Sequence, residues 1–74
     1  MMITMNRVQT FVMIAIFHSE VAAIAFHDEL DAKPFEEGVM ALHREGTRVV
    51  WRVDDPARGR SWGRDFEARW MQTL

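Results

Sequence analysis

The longest apolar run of this chain is the stretch from Arg7 to Phe17, which reads RVQTFVMIAIF. Its β-branched and aromatic residues favour a strand. Successive side chains of a strand point to opposite faces, and here both faces are apolar: Val8, Val12, Ile14 and Ile16 on one, Phe11, Met13, Ala15 and Phe17 on the other. A strand that is apolar on both faces needs cover on both, so the sequence predicts a central strand of a small sheet.

Length and composition predict one small domain, residues 1–74, with more apolar surface than such a domain usually hides. A chain of this size buries only about 60% of its unfolded surface, so its stability is expected to be marginal. Apolar residues nevertheless make up 49% of the chain, including three Trp and five Phe. This excess predicts a homodimer, and Trp62 is a candidate contact.

The absence of Cys excludes a disulfide framework, a thiol nucleophile and a thiolate zinc site. It fits a reducing compartment, and a cytoplasmic location is predicted. The polar residues His18, Ser19 and Glu20 interrupt the N-terminal apolar stretch. This interruption argues against both a signal peptide and a membrane span, which needs about 20 nearly uncharged residues.

Patterning along the rest of the chain predicts an α+β fold with a two- or three-stranded sheet, about three helices and the order β-α-α-β-(β)-α. The predicted elements after the first strand are a helix over Glu20–Asp31 capped by Ser19, a helix from Pro34 to Arg44 ended by Gly46, a strand over Thr47–Asp54, a turn over Asp54–Gly59, a brief edge strand over Arg60–Trp62, and a helix over Arg64–Thr73. A strand over Val21–Phe26 is the competing interpretation of the first helix.

The same periodicities predict the core. The residues expected to be largely buried are Phe11, Val12, Ile14, Ile16, Val39, Leu42, Val49, Trp51, Val53, Phe66 and Trp70. Truncation of Ile14 or Leu42 to Ala is expected to cost about 2–5 kcal/mol.

No pattern in the chain indicates catalysis, a cofactor or a metal, and no segment resembles a known family. HExxH, CxxC, GxGxxG and P-loop spacings are all absent. His27 and Asp31 have helical i, i+4 spacing, and His18 and His43 are the remaining histidines. Three histidines without ligand spacing are typical of surface positions, so no metal site is predicted. The protein is predicted not to be an enzyme.

Charge is distributed unevenly although the net charge is only −2. Residues 20–45 carry seven acids against Lys33 and Arg44, a net of −5, and residues 46–74 carry six Arg against four acids, a net of +2. The acidic belt, defined as Asp28, Glu29, Asp31, Glu36 and Glu37, is predicted to contact a basic protein surface, even one that normally holds nucleic acid. The ordinary alternative is a solvated surface.

The function predicted from these features is that of a small non-enzymatic interaction module that binds another macromolecule. The predicted partner is a protein. Chains of this size and charge layout are often inhibitors or adaptors of phages and mobile elements, including anti-CRISPR proteins. The alternative is a small nucleic-acid-binding protein that uses Arg58, Arg60, Trp62 and Arg64, with Arg58 and Arg60 at the tip of a predicted hairpin. Guanidinium groups pair with phosphates, and aromatic rings stack on bases. Acids interleaved with these Arg residues make the protein-binding hypothesis the preferred one.

Overall fold

A computed structural model describes residues 9–32 and 38–74 of the chain. Within these ranges the elements are β1 (Phe11–Phe17), α1 (Glu20–Asp31), β2 (Val39–Glu45), β3 (Arg48–Val53), α2 (Pro56–Asp65) and β4 (Ala68–Thr73). The four strands form one antiparallel sheet in the order β2-β3-β1-β4. The order β-α-β-β-α-β belongs to the split βαβ, or ferredoxin-like, arrangement. The predicted α+β class is confirmed, and the predicted three helices and two or three strands are wrong.

The first strand is central, as its apolar faces predict. β1 pairs with β3 on one side and β4 on the other, so that Met13 lies opposite both Trp51 and Thr73. Its predicted beginning at Arg7 lies outside the described residues. α1 has the predicted bounds, and Ser19 caps it by accepting a 3.1 Å hydrogen bond from the Ala22 backbone N–H. The competing strand over Val21–Phe26 does not form.

The predicted second helix is wrong where the structure describes it, since Val39–Glu45 is the edge strand β2. A β-bulge shifts the register between Ala41 and His43, which breaks the alternation that marks a strand in a sequence. Gly46 does not end a helix. Its φ of 60° starts the two-residue loop that joins β2 to β3, a position where hairpins favour Gly. Predicted residues 34–37 of that helix lie outside the described ranges.

The predicted turn and edge strand after Asp54 are also wrong, because Pro56–Asp65 is a helix. Asp55 caps α2 by accepting a 3.0 Å hydrogen bond from the Ala57 N–H, and Pro56 occupies the first turn, where its missing N–H costs nothing. Gly59, predicted as a turn residue, is instead a buried position of the helix. The Pro and Gly that predicted a turn therefore serve helix initiation and close packing.

The predicted terminal helix is replaced by the strand β4, Ala68–Thr73. Phe66, Trp70 and Leu74 are four residues apart, a spacing that fits one face of a helix and also one face of a strand. Pairing with β1 selects the strand, and Ile16 lies opposite Trp70. Glu67, with a φ of 64°, makes the turn between α2 and β4.

Both helices lie on one face of the sheet, and the core lies between them and that face. The fully buried residues of this core are Met13, Ala15, Phe17, Ala23, Phe26, Leu30, Val39, Val49, Trp51 and Val53. The Phe26 ring connects the layers, with ring centroids 4.9 Å from Phe17, 5.0 Å from Trp51 and 5.4 Å from Phe66. Aromatic pairs at these distances add stabilisation beyond area burial.

Four of the predicted core residues, on β2 and β3, are buried, and two are exposed. Val39, Val49, Trp51 and Val53 are buried as predicted, but Leu42 and Trp70 are 42% and 46% exposed. Five more predicted core residues are only half-buried: Phe11, Val12, Ile14, Ile16 and Phe66. On β1 the helices cover Met13, Ala15 and Phe17, which the predicted core omitted, because the sequence cannot show which of two apolar faces receives them.

Candidate binding surfaces

The described part of the acidic belt lies in the C-terminal half of α1. Asp28 and Asp31 are exposed there, and Glu29 is half-buried. Glu36 and Glu37 lie outside the described residues. The structure therefore places three of the five predicted belt residues together on one helical segment.

These carboxylates lie at the end of the helix where the helix dipole disfavours them. The C-terminal end of a helix carries partial negative charge, and a carboxylate in the last turn is unfavourable by about 0.3–1 kcal/mol. α1 contains four acids and no Lys or Arg, and no basic residue occupies its last turn. Near the N-terminus of α1, Glu20 Oε2 lies 3.8 Å from Nη1 of Arg44 on β2. The negative charge of α1 is thus concentrated at the C-terminal end of the helix, where the helix dipole does not stabilise it.

An exposed apolar ridge leads into this acidic end. Val21 is 77% exposed and Ile24 38% exposed, and Ala25 and Asp28 continue the same side of the helix at i+4 and i+7 from Val21. We call Val21, Ile24, Ala25, Asp28 and Asp31 the outer face of α1. An exposed apolar patch bordered by charge is a common feature of protein-interaction surfaces.

His27 forms a close group with two of the belt acids. Its Nδ1 lies 3.4 Å from Asp31 Oδ2, and one ligand atom each from His27, Asp28 and Asp31 lie within 4.8 Å of one another. Imidazole and carboxylate are metal ligands, but this group is a short cluster on the surface of one helix. His43, on β2, is on the opposite side of the sheet from α1, as its pairing with Val50 shows. The grouping alone does not assign a metal.

The Arg and Trp residues of the nucleic-acid hypothesis lie on α2 and not at a hairpin tip. Arg58 Nη2 donates to Asp54 Oδ1 at 3.1 Å, and its Cζ lies 5.9 Å from the Trp62 ring centroid. Arg60 donates to the Thr73 hydroxyl at 3.2 Å. Trp62 is half-buried and packs against the core. Of the four predicted residues, Arg64 is exposed at the end of the helix with no ion pair to another described residue.

The sheet face opposite the helices is the surface that sequence reasoning missed. We call it the open sheet face, and its apolar members are Val12, Ile14, Ile16, Met40, Val50, Trp70 and Leu74. Neither described helix packs on this side. The alternation of β3 could have indicated this surface in the sequence. Arg48 and Arg52 flank Val50 there, and they mark their side of the strand as the one that faces solvent.

Within residues 9–32 and 38–74 no charged side chain is buried, and the buried side-chain nitrogen without a hydrogen-bond partner is Nε1 of Trp51. No helix in these ranges is long and apolar enough to span a membrane.

No known protein family matches the chain, and no curated protein or solved structure shows significant similarity to it. The ferredoxin-like arrangement hosts many unrelated functions, so function must be argued from the surfaces themselves.

Proposed function

We propose that this protein is a non-enzymatic interaction module that binds another protein through the outer face of α1. The observation that carries the proposal is the group of carboxylates at the C-terminal end of this helix, beside an exposed apolar ridge. Local rules of helix stability disfavour acids there. Violations of such rules tend to occur at functional positions, where another requirement overrides local stability.

The chemistry of this face defines the partner it fits. Val21 and Ile24 suit a shallow apolar groove, and Asp28 and Asp31 suit Lys or Arg side chains at one end of that groove. Opposite charges at the rim accelerate association and select the orientation of the partner. Basic protein surfaces that normally hold nucleic acid have this character, so an inhibitor of the anti-CRISPR kind remains within the proposed class.

Reversal of the exposed acids tests the proposal. In the Asp28→Lys/Asp31→Lys variant, partner binding should be lost, while thermal stability should stay the same or rise because Lys suits the C-terminal end of a helix by about 0.3–1 kcal/mol per residue. The partner is first captured from a lysate of the native host with the tagged chain and identified by mass spectrometry. Binding of the purified partner is then measured by calorimetry, and unfolding by circular dichroism.

The matched control changes the net charge equally on another surface. Asp65 and Glu67 are exposed at the end of α2 and in the turn that follows. Asp65→Lys/Glu67→Lys should therefore leave partner binding within about twofold of the wild type, as expected for charges outside an interface. Val21→Glu, which removes the apolar ridge without removing an acid, should weaken binding. Unchanged affinity in both α1 variants would contradict the proposal.

Nucleic-acid binding by α2 is the alternative function. One observation favours it: Arg60 and Arg64 lie one helical turn apart and are both exposed. Arg58 already pairs with Asp54, and Asp65 adjoins Arg64, which reduces the positive field of the helix. The alternative predicts that short DNA or RNA is shifted in a gel, that added salt weakens the complex steeply through counterion release, and that Arg60→Ala/Arg64→Ala abolishes it. An absence of any shift would count against this alternative.

A further inference from the structure

Neither described helix covers the open sheet face, although the sequence makes it apolar. The three outward residues of the central strand, Val12, Ile14 and Ile16, form a continuous aliphatic row. Trp70 lies beside Ile16 on β4, and Leu74, whose N–H donates to the Val12 carbonyl at 2.8 Å, lies at the other end. Trp70 and Leu74 are 46% and 65% exposed. The row is therefore extended by large apolar side chains at both ends.

The size of this face is close to what a weak dimer needs. Strands of six or seven residues at about 3.3 Å per residue, and four strands about 4.8 Å apart, give a face of about 400 Å² in projection. Two such faces cover about 800 Å² in projection, so with side-chain relief the buried area falls in the class of weak, transient interfaces, below about 1,200 Å². Exposed apolar patches on small proteins are often interaction sites.

We propose that the open sheet face binds the same face of a second copy of this chain and forms a homodimer with the helices outside. An isologous contact needs a self-complementary surface, and an aliphatic row along the central strand meets that need. Because the described helices both lie on the other side of the sheet, two sheets can approach to the usual spacing of about 10 Å. The dimer leaves the outer face of α1 exposed on each copy, so it does not depend on the proposed partner.

The charges of the face are compatible with this symmetry. A twofold axis along β1 places β3 of one copy over β4 of the other. This keeps the two copies of Arg52 apart and brings Arg48 of the partner subunit over Trp70, where a guanidinium–ring contact is favourable. Arg48 also pairs with Glu45 at 3.0 Å within its own chain, so it does not enter the interface as an isolated charge.

Nucleic acid is the competing occupant, and the composition of the face disfavours it. Single strands bind to sheets by stacking bases on aromatic rings of neighbouring strands. Here the outward positions of β1 are aliphatic, and the two rings on the described part of this face, Trp70 on β4 and His43 on β2, lie on opposite edge strands and not on neighbouring ones. Arg48 and Arg52 against Glu45 leave it only weakly positive. An aliphatic centre is better covered by another apolar surface than by a polyanion.

Light scattering after size exclusion tests the dimer with the intact chain. At about 100 μM, above the micromolar dissociation constants of weak interfaces, the wild type should show a mass twice that of the 8.7 kDa chain. Trp70→Glu should raise the dissociation constant by about 30-fold or more, as for a large aromatic residue that carries much of the binding energy of an interface. Leu74→Glu should also weaken the dimer, and its high exposure protects this second variant from misfolding.

The matched control is Val21→Glu, which places the same charge on an exposed apolar residue of α1 and should leave the dimer intact. Tryptophan emission gives a second measure, since Trp70 should move out of water and shift its emission to the blue as concentration rises. A monomer mass for the wild type at 100 μM would overturn the dimer. So would a dimer that survives both sheet-face variants, or a gel shift of single-stranded RNA that Arg52→Ala abolishes.

These outcomes separate the dimer from the proposed function. Trp70→Glu should lose self-association and keep the affinity of each α1 face for its partner protein. Asp28→Lys/Asp31→Lys should do the reverse. A monomeric wild type that still binds its partner through α1 would overturn the dimer alone.

Discussion

Phe26→Ala should unfold the protein at physiological temperature or leave it only marginally folded. The Phe26 ring is fully buried and contacts three further aromatic rings, from β1, from β3 and from the end of α2. Truncation of a buried Phe costs about 3–5 kcal/mol. At about 0.05–0.15 kcal/mol per residue, a domain of this size has a total stability of similar magnitude. Urea denaturation followed by circular dichroism measures the loss.

Leu42→Ala is the informative comparison for Phe26→Ala. The sequence predicts a buried Leu42, and the structure shows it 42% exposed on the bulged edge strand. Its truncation should cost about 1 kcal/mol or less, as for most exposed positions. A large loss of stability in Leu42→Ala together with a small loss in Phe26→Ala would contradict the core position described above, between the helices and one face of the sheet.

Gly59→Val should detach α2 from the sheet and cost about 3 kcal/mol or more, at the upper end of overpacking effects. A Cβ at Gly59 would lie 2.8 Å from Met13 Sδ and 2.9 Å from Trp51 Cη2. The Trp51 ring is fully buried against Phe26, so it cannot withdraw. Gly59→Ala should also destabilise the protein, although Ala is favoured over Gly in a helix by about 1 kcal/mol.

Gly63→Ala is the matched control within the same helix. Its Cβ would meet the Met71 Sδ, the end of a flexible side chain on the edge strand that is only half-buried. The loss of stability should therefore be smaller than in Gly59→Ala. Thermal unfolding of the two variants at equal concentration checks this order. Equal stability of Gly59→Ala and the wild type would contradict the close approach of α2 to β1 and β3.

Elements with one dominant local signal were predictable from the sequence. The Ser19 cap and the alanine-rich residues after it specify α1, and alternation specifies β3. By contrast, Phe66, Trp70 and Leu74 have a spacing that suits a helix and a strand equally. Strand pairing with β1 decides between them, and that pairing joins residues more than fifty positions apart in the chain.

The candidate surfaces divide in the same way. Asp28, Glu29 and Asp31 fall on one helix because of their spacing alone, so this part of the acidic belt was predictable. The open sheet face was not, since it needs side chains from β1, β3 and β4 in register. The nucleic-acid hypothesis placed Arg58 and Arg60 at a hairpin tip, and the structure places them on α2, where each has a hydrogen-bonding partner.

The central position of β1 and its two apolar faces follow from the residue order, because alternation along one strand is a local property. Which of the two faces the helices cover is settled only when the chain folds. That choice depends on the close approach of α2 at Gly59 and on the packing of Phe26 against Trp51, contacts between residues distant in the chain. Helices cover a single face of a sheet because each crossover connection returns on one side, and the aliphatic row on the other face stays outside the described helical layer.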